Sequence, residues 1–386
     1  GGYVEDNSFG TQEFVGLCRL IGAEPYLAGN VGSGSPSELR DWMEYCNYPS
    51  GSTLSDARAA DGSSRPFSVR YWGVGNENWG CGGNMLPEEY AQRFRQFTTY
   101  LHGFGDAKPF LVACGPSRNN LDWTRRFFDS MNHRYGQIGG YTMHFYSRGL
   151  NHATEFTVAQ MEEQFSTFPQ LEKAISDQRG LLDTYDPERK IGLMVDEWGV
   201  WDRIDPADEK AHGRLWQQIT MRSAVAAALG LNIFHRQADK LVMCNIAQMV
   251  NVLHSLLLTE GQHCVRTTTY YTYELMKPHR GRTSVSVQEP SAPGLSLSAS
   301  RHENSLAVTF VNSQPEGSLS VDCAVTGGSA VGGSARILHD PDRNAFNGFD
   351  TPDRIVPKSH PLDVEGGRIR IELPALSIAT ALVRLA

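Results

Sequence analysis

The sequence predicts an α/β protein in which strands and helices alternate, followed by a smaller all-β domain. Six short apolar runs with strand-like composition are separated by segments of helical spacing over residues 1–279. After His279 the apolar residues alternate with period two instead. Hydrophobic residues make up 40% and charged residues 20% of the chain, which is typical of a globular protein.

The first part of the chain contains the alternating elements. Ser35, Pro36 and Glu38 form a capping-box signature at the start of one helix. Helices are predicted at residues 11–21, 35–46, 87–101, 121–135, 158–184, 212–236 and 267–276. Strands are predicted at residues 24–28, 69–75, 110–114, 141–145, 191–195 and 241–246. Alternation of this kind implies βαβ units and a parallel sheet, and the strand count alone fits either a barrel or a doubly wound sheet.

Residues 280–386 are predicted to form a C-terminal β-sandwich, and residues 1–279 the preceding domain. Gly-Gly, Asp-Pro-Asp and Asn-Gly turn signals separate the short apolar runs of this last part. The runs that alternate with period two are Leu306, Val308 and Phe310; Val321, Cys323 and Val325; Ile369, Ile371 and Leu373; and Leu376, Ile378 and Leu382.

Charge and hydropathy exclude two classes of partner. The net charge of −8 comes without a basic cluster, which argues against a nucleic-acid partner. No apolar run approaches the roughly 20 residues of a membrane helix, so no membrane partner is expected. Seven scattered cysteines without a CxxC pair indicate neither a disulfide framework nor a zinc site, and favour reduced thiols in a cytoplasmic enzyme. Because the chain opens at Gly1 without methionine, we expect its natural start to be absent, which leaves secretion open.

Two of the predicted strands lead into glutamates in similar surroundings. Each apolar run is followed by a glutamate, Glu77 or Glu197, and then by a tryptophan within two residues, Trp79 or Trp198. In a parallel barrel the C-terminal ends of all strands open on one face. The two glutamates can therefore face each other across one pocket, although they are far apart in sequence.

Cleavage of a glycosidic bond needs such a pair of carboxyl groups. One protonates the leaving oxygen, and the other attacks the anomeric carbon or activates water. For a retaining reaction we expect the two carboxyl groups to lie about 5–5.5 Å apart. Trp79, Trp198 and Trp201 offer flat apolar surfaces for sugar rings, and Asn76 fits as a hydrogen-bond donor to a sugar hydroxyl.

The sequence around these residues resembles the family 51 α-L-arabinofuranosidases. Residues 9–14, 21–26, 42–47 and 71–77 resemble the family's run through strands three and four, and residues 196–201 and 247–252 resemble its later motifs. The resemblance extends over nearly the whole chain. It implies a (β/α)8 TIM barrel, of which strands three to eight are visible, followed by a jelly-roll-like sandwich. Family members carry a longer N-terminal segment with strands one and two, and we expect this chain to lack it.

The same resemblance implies roles for individual residues. Glu77 takes the position of the acid/base and Glu197 that of the nucleophile. The residues implied to bind substrate are Asn76, which contacts the sugar 2-hydroxyl, Tyr146, which bonds near the nucleophile, His144, Gln248, Trp79 and Trp198. The mechanism requires neither a metal ion nor a cofactor. Oligomers are usual in the family, so a homotrimer or homohexamer is expected.

The predicted function is release of terminal non-reducing α-L-arabinofuranosyl groups from hemicellulose or pectin polysaccharides or oligosaccharides by double displacement. One alternative is an endo-acting β-glucanase or xylanase, which has the same barrel and cleavage chemistry but a different substrate. A second is a non-catalytic carbohydrate-binding protein. A third is a nucleotide-binding enzyme, since the glycine-rich residues 29–34 follow a strand, but their spacing is not GxGxxG and no basic residue follows closely. A tight strand-to-helix loop is the favoured interpretation of that segment.

Overall fold

The computed structural model describes residues 6–106, 108–288 and 290–386, and residues 149 and 150 by their backbone alone. The unusual start at Gly1 lies outside the described residues. By its contacts the chain divides into two compact units. Unit 1 comprises Gly1–His144 and Ile175–Asp196, and unit 2 comprises Phe145–Ala174 and Glu197–Ala386. The predicted domain boundary after residue 279 stays a prediction.

Unit 1 is built around parallel strands. Along the chain its elements are α1 (Thr11–Ile21), β1 (Tyr26–Gly29), α2 (Pro36–Asn47), α3 (Thr53–Ala60), β2 (Tyr71–Val74), α4 (Pro87–Thr98), β3 (Phe110–Ala113) and α5 (Leu121–Ser130). Four further elements lie partly or wholly in unit 2: β4 (Gly140–His152), α6 (Val158–Phe165), α7 (Phe168–Tyr185) and β5 (Gly192–Arg203). Within unit 1 the sheet order is β1-β2-β3-β4-β5. The pairings from β1 to β4 are parallel.

Local sequence signals account for the helices of unit 1. The Ser35 hydroxyl accepts from the Glu38 amide at 3.3 Å, while the Glu38 carboxylate accepts from the Ser35 amide at 2.6 Å. This confirms the predicted capping box of α2. The core lies on one face of each helix; its buried members include Leu39, Met43, Cys46, Tyr90, Phe94 and Phe127.

Unit 2 contains the later part of β5, a strand beside it, and a sandwich. After β5 come α8 (Pro206–His212), α9 (Met221–Arg236), β6 (Leu241–Ile246), β7 (Leu257–Glu260), β8 (His263–Arg266) and α10 (Thr268–Met276). β6 adjoins β5, and the Ala247 amide donates to the Trp198 carbonyl at 2.8 Å. The antiparallel hairpin of β7 and β8 was not predicted from the sequence.

The sandwich of unit 2 consists of two antiparallel sheets. Its strands are β9 (Thr283–Val285), β10 (Leu295–His302), β11 (Ser305–Asn312), β12 (Leu319–Ala324), β13 (Ala330–His339), β14 (Lys358–His360), β15 (Asp363–Glu365), β16 (Arg368–Leu373) and β17 (Ser377–Leu385). The sheet orders are β14-β13-β17-β11-β10-β9 and β12-β16-β15. The predicted alternation holds for β11 and β16, whose apolar side chains share one core. It fails at Leu382, which is exposed because the core face of β17 carries Ala381 and Val383 instead.

The predicted fold class is confirmed, although several elements differ in length. The helix predicted at residues 212–236 begins only at Met221, after the separate short helix α8. β4 and β5 extend past residues 145 and 195, so Tyr146 and Glu197 lie inside strands rather than after them. Trp198 and Val200 keep β5 buried beyond the predicted end. The helix predicted at residues 158–184 is two helices, because Thr167 bonds back to Gln164 and Pro169 supplies no amide donor. Among the described residues, no helix combines the length and apolarity needed to cross a bilayer.

Candidate active site

Glu77 projects from a tight loop that follows β2. Gly75 has φ of 98°, and a side chain there would place its Cβ 2.1 Å from Asn78 Oδ1. Glu77 itself has φ of 46°, a left-handed conformation that is uncommon for residues other than glycine. The Gly80 and Gly82 amides both donate to the Glu77 carbonyl, at 2.7 and 3.0 Å. The loop therefore fixes the direction in which the half-buried Glu77 side chain leaves the backbone.

A line of titratable groups leads from Glu77 into the core of unit 1. His144 Nδ1 lies 3.0 Å from Glu77 Oε1, and His144 Nε2 lies 3.3 Å from Asp196 Oδ1. The Tyr26 hydroxyl donates to Asp196 Oδ2 at 3.1 Å. Burial, reinforced by the charge of Asp196, holds the pKa of Tyr26 well above its usual range, so Tyr26 stays a donor. The imidazole of His144 thus lies between two carboxyl groups.

This arrangement controls where a proton is held. A neutral imidazole carries one N–H, whereas both ring nitrogens of His144 face carboxylate oxygens. One further proton, placed either on Glu77 or on the second ring nitrogen, satisfies both contacts. The pair of Glu77 and His144 can therefore hold a proton next to solvent-accessible space and exchange it, which is the property of a general acid/base.

Trp79 supports this group in unit 1. Its indole nitrogen donates to the Gly115 carbonyl at 3.1 Å. Its ring meets the His144 ring edge to face, with 6.3 Å between centroids. Because His144 is only 4% exposed, Trp79 and the carboxylates leave the imidazole little freedom to rotate. Asn76, on the same loop, is exposed.

Glu197 occupies a different setting, inside β5 in unit 2. It is half-buried, and the next residue, Trp198, is only 1% exposed. Trp198 packs edge to face on Phe234, and a Cβ at Gly230 would lie 2.4 Å from its ring. This places the Trp198 ring in the core of unit 2, contrary to its expected role as a sugar platform. The buried strand fixes the backbone from which the Glu197 side chain projects.

His254 secures the same stretch of β5. Its Nδ1 accepts from the Val200 amide at 3.1 Å, and its Nε2 donates to the Ser223 carbonyl at 2.9 Å. Burial lowers the pKa of His254 to about 4, so the ring is neutral and both bonds persist near neutral pH. His254 thereby ties β5 to the start of α9.

Tyr146 and Trp201 form a second aromatic contact in unit 2. Their rings meet edge to face with 5.1 Å between centroids, and Tyr146 is 5% exposed. The guanidinium of Arg148 lies over the Trp201 ring at 4.5 Å. Trp201 is half-buried and Gln248, after β6, is exposed, so both are accessible from solvent.

Two protein-family models match the chain, the α-L-arabinofuranosidase C-terminal domain over residues 196–377 and the α-L-arabinofuranosidase 1 domain over residues 1–160. An intracellular exo-α-L-arabinofuranosidase of Bacteroides ovatus is 34% identical over 399 residues, which is 98% of this chain and 76% of the relative. The GH51 arabinofuranosidase structure from Xanthomonas axonopodis pv. citri is 32% identical, with a TM-score of 0.92 over all of this chain and 80% of that one. The chain belongs to the family 51 α-L-arabinofuranosidases.

This chain covers a different share of the length of each relative. A probable α-L-arabinofuranosidase C of Aspergillus terreus is 30% identical over 298 residues, which is 72% of this chain and 56% of the fungal protein. The chain thus spans about three quarters of the bacterial relative and little more than half of the fungal one.

Family membership was predicted from the motifs and is confirmed, whereas the roles of single residues stay predictions. Unit 1 brings Glu77, His144 and Trp79 together, as expected of neighbours in one site. Roles for Tyr26 and Asp196, which complete the line of contacts, were not predicted from the sequence. Asp196 could have been found, because an acidic residue directly before the expected nucleophile is unusual in a buried strand. The sequence carries no local signal for His254, since its partners are distant in the chain.

Proposed function

We propose that this family 51 chain releases terminal α-L-arabinofuranosyl groups from arabinose-containing polysaccharides or oligosaccharides with retention of configuration. The observation that carries the proposal is the line from Glu77 through His144 to Asp196, which gives Glu77 the proton exchange that an acid/base needs. Relatives named exo-α-L-arabinofuranosidase support the substrate. In this proposal Glu197 is the nucleophile.

The first step is formation of an arabinosyl-enzyme. The Glu197 carboxylate attacks the anomeric carbon, and the bond from that carbon to the aglycone oxygen breaks. Glu77 transfers its proton to the departing oxygen, so that the aglycone leaves as a neutral alcohol. His144 and Asp196 favour the carboxylate that this transfer leaves on Glu77, because His144 can then donate to it.

The second step is hydrolysis of that ester. Glu77, now a carboxylate, takes a proton from water, and the hydroxide oxygen attacks the anomeric carbon. Glu197 leaves as a carboxylate, and Glu77 holds the proton needed for the next cycle. Two inversions give net retention, and for this reaction the separation of the two carboxyl groups is predicted to be about 5–5.5 Å.

The remaining contacts with the sugar follow from the family resemblance. We assign Asn76 to the 2-hydroxyl of the arabinose, Tyr146 to the orientation of Glu197, and Gln248 to the sugar ring. The half-buried Trp201 replaces Trp198 as the aromatic surface of unit 2 that is open to substrate. Neither a metal ion nor a cofactor takes part in these steps.

The location and the oligomeric state of the protein are also proposed. An intracellular location fits the name of the Bacteroides ovatus relative and the seven free cysteines. A homotrimer or homohexamer is expected from the family resemblance. Light scattering of the eluted chain checks the second feature, since a monomer would contradict it.

The test is incubation of the chain with 4-nitrophenyl α-L-arabinofuranoside, beside the Glu197→Ala variant. We expect release of nitrophenol that the variant lacks, and proton NMR at early times should show the α-anomer of arabinose. The β-anomer would contradict the retaining mechanism. Hydrolysis of a β-glucan or xylan backbone, with no action on the arabinoside, would instead support the endo-acting alternative, and binding without turnover would support a non-catalytic protein.

A further inference from the structure

A cysteine lies against the carboxyl group of Glu77. Cys81 Sγ is 3.3 Å from Glu77 Oε2, with the thiol as donor, while His144 Nδ1 lies at Oε1. The two oxygens of this carboxyl therefore have different partners, an imidazole on the buried side and a thiol on the exposed side.

The loop geometry holds the thiol in this place. The Gly82 amide donates to the Glu77 carbonyl, and Asn78 Nδ2 donates to the Gly82 carbonyl at 2.8 Å. A Cβ at Gly82 would lie 1.8 Å from the Asn76 carbonyl oxygen, so the backbone after Cys81 is pressed onto the backbone before Glu77. Because the Gly80 amide also donates to the Glu77 carbonyl, Cys81 is held on both sides by bonds that return to the Glu77 segment.

The glycine-rich residues 29–34 support the same loop. A Cβ at Gly32 would lie 2.6 Å from the Gly82 carbonyl oxygen and 3.4 Å from Gly83 Cα. Only a glycine permits this approach of two backbones. The segment that superficially resembled a phosphate-binding turn therefore packs beneath the loop of Cys81.

We propose that Cys81 is a positioning residue for the acid/base Glu77, an inference that rests on the function proposed above. Its thiol orients Oε2 toward the leaving group and stabilises the carboxylate that forms when the proton departs. A donor to the charged form of an acid lowers the pKa of that acid. Loss of the thiol should therefore raise the pKa of Glu77 and weaken its acid catalysis.

Other titratable groups of unit 1 also act on Glu77. His144 from β4 contacts it directly, Asp196 from β5 and Tyr26 from β1 act through His144, and the Cys114 thiol after β3 is close enough to interact with its charge. None of these groups is changed by a substitution at position 81, so a shift in the pH profile can be assigned to the thiol.

The kinetic test compares Cys81→Ala and Cys81→Ser with Cys264→Ser. Cys81 and Cys264 are the exposed cysteines of the seven, and Cys264 lies on β8 of unit 2, so its variant is the matched control. Acid assistance matters for an arabino-oligosaccharide, whose leaving group is a poor one, and little for 2,4-dinitrophenyl α-L-arabinofuranoside. We expect Cys81→Ala to lower kcat/KM about fivefold on the first substrate and to leave it nearly unchanged on the second.

The pH profile and the serine variant supply the diagnostic readouts. In Cys81→Ala, the basic limb of the plot of kcat/KM against pH should move to a higher pH by about half a unit. The Cys81→Ser variant should keep most of the wild-type profile, because the serine hydroxyl is also a hydrogen-bond donor. Equal losses on both substrates, or an unshifted limb, would show that Cys81 acts only on the fold and would overturn the proposal.

A measurement without substrate separates this inference from the proposed function. In protein labelled with ¹³C at the glutamate carboxyl carbons, the Glu77 resonance is identified by its absence from Glu77→Gln. Its pKa should be about half a unit higher in Cys81→Ala than in wild type or Cys264→Ser. Identical titrations would refute the role of Cys81. A shifted titration in a chain that cleaves no arabinoside would uphold that role and refute the function.

Discussion

The two glutamates of this chain sit on contrasting backbones. In unit 1, Glu77 follows the four-residue strand β2 in a glycine-rich loop and adopts a left-handed conformation. In unit 2, Glu197 lies inside the twelve-residue strand β5, followed by buried Trp198 and Val200. One carboxyl is carried by a strained turn and the other by a regular, packed strand.

The contrast matches the two tasks in a double displacement. A nucleophile must be held in place relative to the reacting carbon, which a packed strand and the bond from Val200 to His254 favour. An acid/base must gain and lose a proton in every cycle, which requires titratable neighbours and access to solvent. Glu77 has those neighbours in His144 and Cys81. The backbone around each glutamate thus supports its assigned role independently of the family resemblance.

The largest effect is expected from Glu197→Ala. Without the nucleophile no arabinosyl-enzyme forms, so kcat should fall on the order of 10⁴-fold on every arabinoside, whatever its leaving group. Glu260→Ala, which removes an exposed carboxylate in the same unit, is the matched control and should keep full activity. Azide should partly restore turnover and give the inverted β-arabinosyl azide, seen by NMR. A loss that depended on the leaving group would mean that Glu197 is the acid instead.

The next effect distinguishes Glu77 from Glu197. Glu77→Ala should lower kcat/KM about 10²- to 10⁴-fold on an arabino-oligosaccharide and far less on the 2,4-dinitrophenyl arabinoside, because only the poor leaving group needs a proton. Azide should then accelerate the second step and give the retained α-arabinosyl azide. Glu13→Ala, on α1 of the same unit, serves as the control. Equal losses on the two substrates would contradict the acid/base assignment.

Much of this contrast was accessible from the sequence, but not all of it. The six strands and the two glutamates were visible because apolar runs and turn residues are local signals. The length of β5 was not, since Trp198 and Val200 extend it through contacts with residues distant in the chain, such as Ala247 and His254. A pattern that ends at a polar residue was therefore interpreted as the end of the strand.

The line of proton-holding groups was missed for a related reason. His144 was predicted from a family motif, but its two carboxyl partners come from a loop after β2 and from β5. Tyr26 looked like an ordinary strand residue, and Cys81 like one of several scattered thiols. Side-chain networks assembled from separate elements leave no periodic signal in one sequence.

Gly75→Ala tests whether the Glu77 loop is strained as described. The new Cβ would lie 2.1 Å from Asn78 Oδ1 at a residue with φ of 98°. We expect a loss of about 3 kcal/mol in the free energy of unfolding, measured from urea midpoints. Gly136→Ala is the control, because a Cβ there meets nothing within 4 Å. Equal stability of the two variants would mean that the loop can relax, and that its fixed geometry does not orient Glu77.

The smallest effect concerns the packing that holds β5 in unit 2. Burial lowers the pKa of His254 to about 4 from the usual 6.5, so the folded chain keeps this ring neutral while the unfolded chain protonates it. The stability that His254 contributes is therefore complete above pH 6.5 and declines as the pH falls toward 4. Between pH 6.5 and pH 5 this amounts to about 2 kcal/mol. His235 and His279, whose pKa values burial lowers to about 4 and about 3, lose stability on acidification in the same way.

Urea titrations between pH 7 and pH 5 measure this effect as the free energy of unfolding. The His254→Gln variant should be less stable than wild type at pH 7 but lose less stability on acidification, whereas the exposed control His302→Gln should follow wild type. If the free energy of unfolding of His254→Gln depends on pH as steeply as that of wild type, the ring is not neutral in the fold. Its bond to Val200 then does not hold the strand of Glu197.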